Sequence, residues 1–161
     1  MKKLLLLPIF VFLISFSLFA KGVTISVELS PAGSFEAKAK SVKGTVKVNG
    51  NSVSGSNLYV KTKSLKTGMD LRDEHLIKKL EYKKHSKIIA KKIVGKNGKG
   101  TALFSIRGIE GKVPFTYSKV DSKYMKANFT ISLKAFKIEG VSYMGAGVKD
   151  KIKLEAYVKY K

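Results

Sequence analysis

The chain has 161 residues, a formal net charge of +21 and no cysteine. That length suits one domain rather than two, and an apolar fraction of 44% excludes a wholly disordered chain. Without cysteine there are no disulfides, no thiolate chemistry and no lipid-modified N-terminal cysteine.

Residues 1–20 read as a signal peptide. Met1-Lys2-Lys3 is a basic start, Leu4 to Phe19 is an apolar run broken only by Pro8, Ser15 and Ser17, and Ala20 is a small residue for the cut. The run falls short of the about 20 apolar residues of a membrane span. Leu18 stands where a small residue is usual, so an uncleaved anchor is the competing reading. The expected product is a periplasmic domain of residues 21–161.

From there the chain alternates. Val23, Ile25, Val27 and Leu29 alternate with polar residues, as do Phe35, Ala37 and Ala39. Val46 and Val48 precede Asn49-Gly50-Asn51, whose residues tolerate positive φ and predict a tight hairpin turn. Leu58 and Val60 continue the pattern.

Residues 65–80 then interrupt the strands with a helix signal. Asp70, Asp73 and Glu74 lie near its positive end and Lys78 and Lys79 near its negative end. Asp70 is expected to cap the first amides. Leu76 and Leu80, four apart, share a narrow apolar stripe suited to covering a barrel end.

Strand patterning resumes at Ile88 to Val94, turns at Gly95 to Gly98, and runs on through Gly100 to Ile106. A turn at Gly108 to Gly111 leads to Lys112 through Tyr117. Ala127, Phe129, Ile131 and Leu133 follow, and Ile152, Leu154, Ala156 and Val158 end the series. Between them, Gly140 to Gly147 reads as a mobile rim or a plain long hairpin connection. One apolar and one polar face in nearly every segment points to antiparallel strands wet on one side. Such strands either stack as two sheets or close into a barrel, and alternation does not choose between them.

The charge has a plain origin. Without Lys2 and Lys3 it is +19, and lysines alternate with apolar residues, as in Lys149 to Glu155. That is the soluble outer face of a sheet. Arg72 and Arg107 are the only arginines, too few for a nucleic-acid grip. An anionic membrane surface or an acidic envelope partner is the expected secondary consequence.

Little in the chain speaks for catalysis. His75 and His85 are the only histidines, with no spacing for a metal. His75 reads as a hydrogen-bonded structural residue, and the helix carboxylates as dipole compensation. Arg72 is expected to pair with Asp73 and tie the helix to the barrel, the alternative being contact with a ligand headgroup. No serine sits in a nucleophile elbow. No catalytic residue, metal or cofactor is therefore assigned, and a lipid-modifying enzyme ranks last.

Ser64-Leu65-Lys66-Thr67-Gly68 followed by Arg72-Asp73-Glu74-His75-Leu76 resembles the signature of the YceI-like family. The order of later pieces is also similar: Lys87-Ile88, Ile106-Arg107-Gly108-Ile109 leading to Val113-Pro114-Phe115, Phe136-Lys137-Ile138, and Val148 to Ile152. The motif residues are Thr67, Arg72, Asp73, His75 and Leu76. The resemblance implies an antiparallel, lipocalin-like β-barrel with one short α-helix. It also implies a polyisoprenoid, isoprenoid quinone or similar lipid as the ligand.

A barrel of about eight strands holds one small ligand. The expected lining is Val46, Val48, Leu58, Val60, Leu76, Leu80, Phe104, Ile106, Phe115, Phe129, Ile131 and Leu133. The helix and the 140–147 loop are expected to govern access. The alternative is a basic binding or adaptor module whose barrel is filled by its own side chains.

Overall fold

The structure, a computed structural model, describes residues 21–161; the expected signal peptide lies outside the described residues. The strands are β1 (Val23–Ser30), β2 (Ser34–Ala39), β3 (Thr45–Asn49), β4 (Ser52–Gly55) and β5 (Leu58–Lys61). After the helix α1 (Asp70–Lys79) come β6 (Lys87–Lys96), β7 (Lys99–Ile106), β8 (Ile109–Lys119) and β9 (Tyr124–Ser132). A small hairpin, β10 (Ser142–Tyr143) and β11 (Ala146–Val148), precedes β12 (Lys151–Tyr160).

The tight turns follow local chemistry. β6 and β7 are joined by Asn97-Gly98, at φ +52° and +80°, the two-residue turn such a pair favours. Gly50, at φ +56°, turns β3 into β4. Arg107-Gly108, at +53° and +75°, turns β7 into β8, so Gly111 already belongs to the strand.

The sheet closes on itself. β12 pairs with β9 along nine residue pairs, from Lys151↔Ser132 to Lys159↔Tyr124. Its other edge meets β3 in the one parallel seam among these pairings, Lys159↔Thr45 and Tyr160↔Val46. The ring β12-β3-β4-β6-β7-β8-β9 is a seven-stranded barrel, one strand fewer than the expected eight. It closes entirely within residues 21–161.

The two ends differ. One carries the β3–β4, β6–β7 and β8–β9 turns, tied by Tyr117 N–H to the Gly98 carbonyl at 2.8 Å and Tyr117 Oη to the Asn51 carbonyl at 3.1 Å. Toward the other end, β1 replaces β3 on the edge of β12, with Val23↔Ala156 through Ser26↔Lys153. There β5 likewise replaces β4 on β6, with Leu58↔Ala90 through Lys61↔Lys87. Only single bridges, Lys38↔Lys66 and Lys43↔Tyr59, join these additions. The barrel therefore widens toward α1.

β6 holds a bulge at Lys92, at φ +46°, where the β6–β7 register shifts. Ile88 and Ala90 face inward before it and Ile93 after it. The extra residue breaks the period of two and re-aims the strand.

Phe136, 1% exposed, fills the interior next to β8, and glycine at 111 makes room for it. A Cβ at Gly111 would stand 2.8 Å from Phe136 Cζ. A ring this buried has nowhere to retreat. Gly111→Ala is expected to cost about 1–3 kcal/mol by overpacking, seen as a lower urea midpoint with an unchanged slope.

Candidate functional site

Inside the barrel is a cavity of about 560 Å³. Its wall is almost wholly apolar and draws on every strand of the ring. Phe104, Phe115 and Phe129 are only half-buried although they line it, because part of each ring faces the hollow. Phe104 and Phe129 lie 5.0 Å apart between centroids.

The exposed lining residues are His75 and Lys78 on α1, and Gly140 and Ser142 beside the β10–β11 hairpin. The opening therefore lies between the helix and this hairpin. The 140–147 segment lies at this rim and is a hairpin rather than a plain connection. It carries β10 and β11, and β11 docks on the end of β1 through Leu29↔Val148.

Of the twelve residues assigned to the lining by alternation, the cavity wall holds all but Val48. Val48 packs on the core without reaching the cavity, although Val53, its partner across the β3–β4 pair, lines it. Leu76 and Leu80 bring the helix stripe to the cavity. Residues not assigned from sequence also line it: Val23, Ile25 and Val27 of β1, Phe35 and Ala37 of β2, and Ile152 to Val158 of β12 by alternate residues. Their alternation was visible in the sequence. What hid those of β1 and β2 was that β1 takes the place of β3 beside β12 at the wide end, with β2 next to it.

The motif residues take different places. Asp73 is 5% exposed and accepts hydrogen bonds from Thr67 N–H at 2.6 Å and Thr67 Oγ1 at 2.7 Å. Lys66 Nζ lies 3.3 Å from its second oxygen. Burial opposes ionisation and is the largest single influence, yet the Thr67 donors and Lys66 together hold the carboxyl below its usual range. Asp73 thus fastens the chain before the helix to its first turn.

The structure departs from the sequence expectation at three residues. Arg72 does not pair with Asp73; Lys66 does. Asp70 is the first helical residue rather than the cap: Met69 occupies that position and offers no side-chain bond. His75 is exposed on the rim and makes no hydrogen bond among the described residues.

Arg72 instead turns to the cavity. Its guanidinium lies 4.3 Å from the Phe35 centroid and 4.8 Å from that of Tyr143. One Nη donates weakly to the Thr67 carbonyl at 3.4 Å. Its Nε is buried without a hydrogen-bond partner among the described residues. A cation held between two aromatic faces at the mouth of an apolar cavity is stabilised electrostatically, yet keeps a free donor.

Arg107 braces the segments beside the mouth. It donates to Glu81 Oε1 at 2.7 Å, after the helix, and to the Lys137 carbonyl at 2.8 Å. The first of these bonds holds the Glu81 carboxyl below its ordinary range.

Among the described residues no cluster of His, Asp and Glu could hold a metal ion. No described helix is long and apolar enough to cross a membrane.

Three solved structures share the fold. BcnA from Burkholderia cenocepacia is 15% identical with a TM-score of 0.63, covering 84% of this chain and 94% of that one. A polyisoprenoid binding domain from Saccharophagus degradans, implicated in plant cell wall breakdown, is 11% identical with a TM-score of 0.59, covering 86% and 91%. A mutant CJ YceI protein with a monobromobimane guest is 18% identical with a TM-score of 0.54, covering 76% and 82%. No curated protein sequence matches the chain significantly. The YceI-like domain family matches residues 16–160, nearly the whole chain, and the protein belongs to that family.

Proposed function

We propose that the protein carries a long-chain amphiphile, a polyisoprenoid, isoprenoid quinone or similar lipid, with its tail in the barrel. The observation that carries this reading is the apolar cavity of about 560 Å³, open at one end. That size lies within the roughly 300–1,000 Å³ of small-molecule pockets. A relative adds support: the Saccharophagus degradans structure is described as a polyisoprenoid binding domain. The basic, apolar leader supports a periplasmic location.

Burial supplies most of the affinity. Each methylene removed from water contributes about 0.8 kcal/mol, so a tail of about twenty carbons gives roughly 16 kcal/mol gross. Ordering the tail consumes much of it. No reactive constellation is needed, and the reading is one of binding without catalysis.

The headgroup end is set by Arg72. A ligand with an oxygen acceptor would complete the free Nε–H, relieving a buried donor. Arg72→Gln is expected to weaken binding of an isoprenoid alcohol or quinone by about tenfold to a hundredfold, the scale of one hydrogen bond to a charged group. Binding of the matching hydrocarbon should change far less, and titration calorimetry reads both.

Native mass spectrometry of protein isolated without detergent tests carriage itself. A lipid adduct, or uptake of offered isoprenoids, is the expected result. An apo mass with no uptake would defeat the proposal.

A further inference from the structure

The rim of the opening carries apolar side chains that the core does not use. Leu71 is 62% exposed, Met144 87% and Met69 45%. Met69 and Met144 lie on either side of Tyr143, and Leu71 follows Met69 in the first turn of the helix. Tyr143 Oη lies 3.2 Å from Met69 Sδ, joining the start of the helix to the hairpin whose turn is Met144-Gly145. Met144 stands at φ +48°, a turn position where asparagine or glycine is usual. A long thioether there neither eases the turn nor covers the interior.

The surroundings are basic. Residues 61–87 hold eight lysines and Arg72 against Asp70, Asp73, Glu74 and Glu81, a net +5. Lys78 and Lys79 line the opening and pair with no carboxylate among the described residues. The other exposed large apolar residues among the described ones, Val94 and Val120, belong to the far end, near the β6–β7 and β8–β9 turns.

We propose that the helix end of the barrel docks on an anionic lipid bilayer, with Met69, Leu71 and Met144 entering the interface and the surrounding cations meeting the headgroups. Apolar side chains beside lysines on one surface are the composition of interfacial membrane binding. A second copy is the poorer occupant, since two chains of this charge repel, whereas an anionic bilayer attracts them. Three side chains are also too few for a stable protein interface. Docking in this pose sets the cavity mouth against the bilayer. The inference rests on carriage only for its purpose, because attachment to the bilayer is read without any transfer.

The chain has no tryptophan, so one introduced indole reports on its own position. Leu71→Trp, Met144→Trp, Val94→Trp and Val120→Trp, each in residues 21–161, are mixed with vesicles of phosphatidylglycerol and phosphatidylcholine bearing brominated acyl chains. Emission should shift to the blue and be quenched for the first two and stay unchanged for the last two. Leu71→Ser with Met144→Ser should lower vesicle partitioning by about tenfold or more, while isoprenoid uptake in solution is retained. Loss of uptake from the unsubstituted protein would instead strike at carriage and leave the docking result standing.

Equal quenching at all four positions would overturn the proposal. So would vesicle binding that salt abolishes but the serine substitutions do not alter, which is charge alone. A dimer in sedimentation, dispersed by Leu71→Ser, would give the patch to a second copy and overturn it too.

Discussion

Blocking the lumen should abolish ligand uptake while leaving the barrel folded. Ala90 of β6 and Ala127 of β9 line the cavity from well-separated strands and are only half-buried, so their methyl groups border free space. Ala90→Trp combined with Ala127→Trp would place two indoles in a hollow of about 560 Å³. Excluding even a few methylenes of tail forfeits about 0.8 kcal/mol each. A loss of at least about 100-fold in affinity, roughly 3 kcal/mol, is therefore expected. The indoles enter existing space, so the overpacking cost should stay at or below the about 1–3 kcal/mol of a filled core. Thermal melts and far-ultraviolet dichroism check the fold, and mass spectrometry checks uptake. A folded double variant that still takes up isoprenoids would move the site out of the barrel.

The second large effect belongs to Asp73. Asp73→Ala removes the acceptor of both Thr67 N–H and Thr67 Oγ1. Leaving these partly buried donors unmatched should cost roughly 2–4 kcal/mol, a large share of the about 5–15 kcal/mol that holds a domain together. The effect depends on pH in a definite direction. The folded carboxyl titrates below its unfolded value, so its ionised form stabilises the fold above the unfolded pKa. That stabilisation fades as pH falls through the lower, folded pKa. The gap between the unsubstituted chain and Asp73→Asn should be steady above about pH 5 and shrink below about pH 4. Urea titrations at several pH values measure it. A gap that widens in acid would mean the carboxyl is held protonated instead.

Much of the cavity was legible because a strand has a period of two. Phe129, Ile131 and Leu133 needed no neighbours to be placed on one face, and all three line the hollow. The same rule failed wherever the period broke or the barrel ended. The bulge at Lys92 sends Ile88 and Ala90 inward on one phase and Ile93 on the other. No simple alternation survives across Ile88-Ile89-Ala90-Lys91-Lys92-Ile93. Val48 obeys the rule and still misses the cavity although its cross-strand partner Val53 lines it, because alternation gives the face of a strand and not which residues border free space.

The helix shows the same division. Its charges and the Leu76, Leu80 stripe marked both its existence and its buried face. The partners of its charges were beyond reach. Asp73 and Arg72 are neighbours in sequence but point to different surroundings, one to Thr67 and Lys66 and the other to Phe35 and Tyr143. Tyr143 is far along the chain, so no local pattern could pair it with Arg72.

The amino-acid order by itself determined strands with one apolar face, a single short helix and a basic exterior, because these depend on periods of two and of 3.6 residues. Only the tertiary structure decided that the sheet closes. Closure rests on β12 meeting β9, β1 and β3, segments far apart in the chain, each in one register. The size of the hollow and the place of its mouth follow from those registers; a period of two fixes which face of a strand turns inward but not which distant residue it meets.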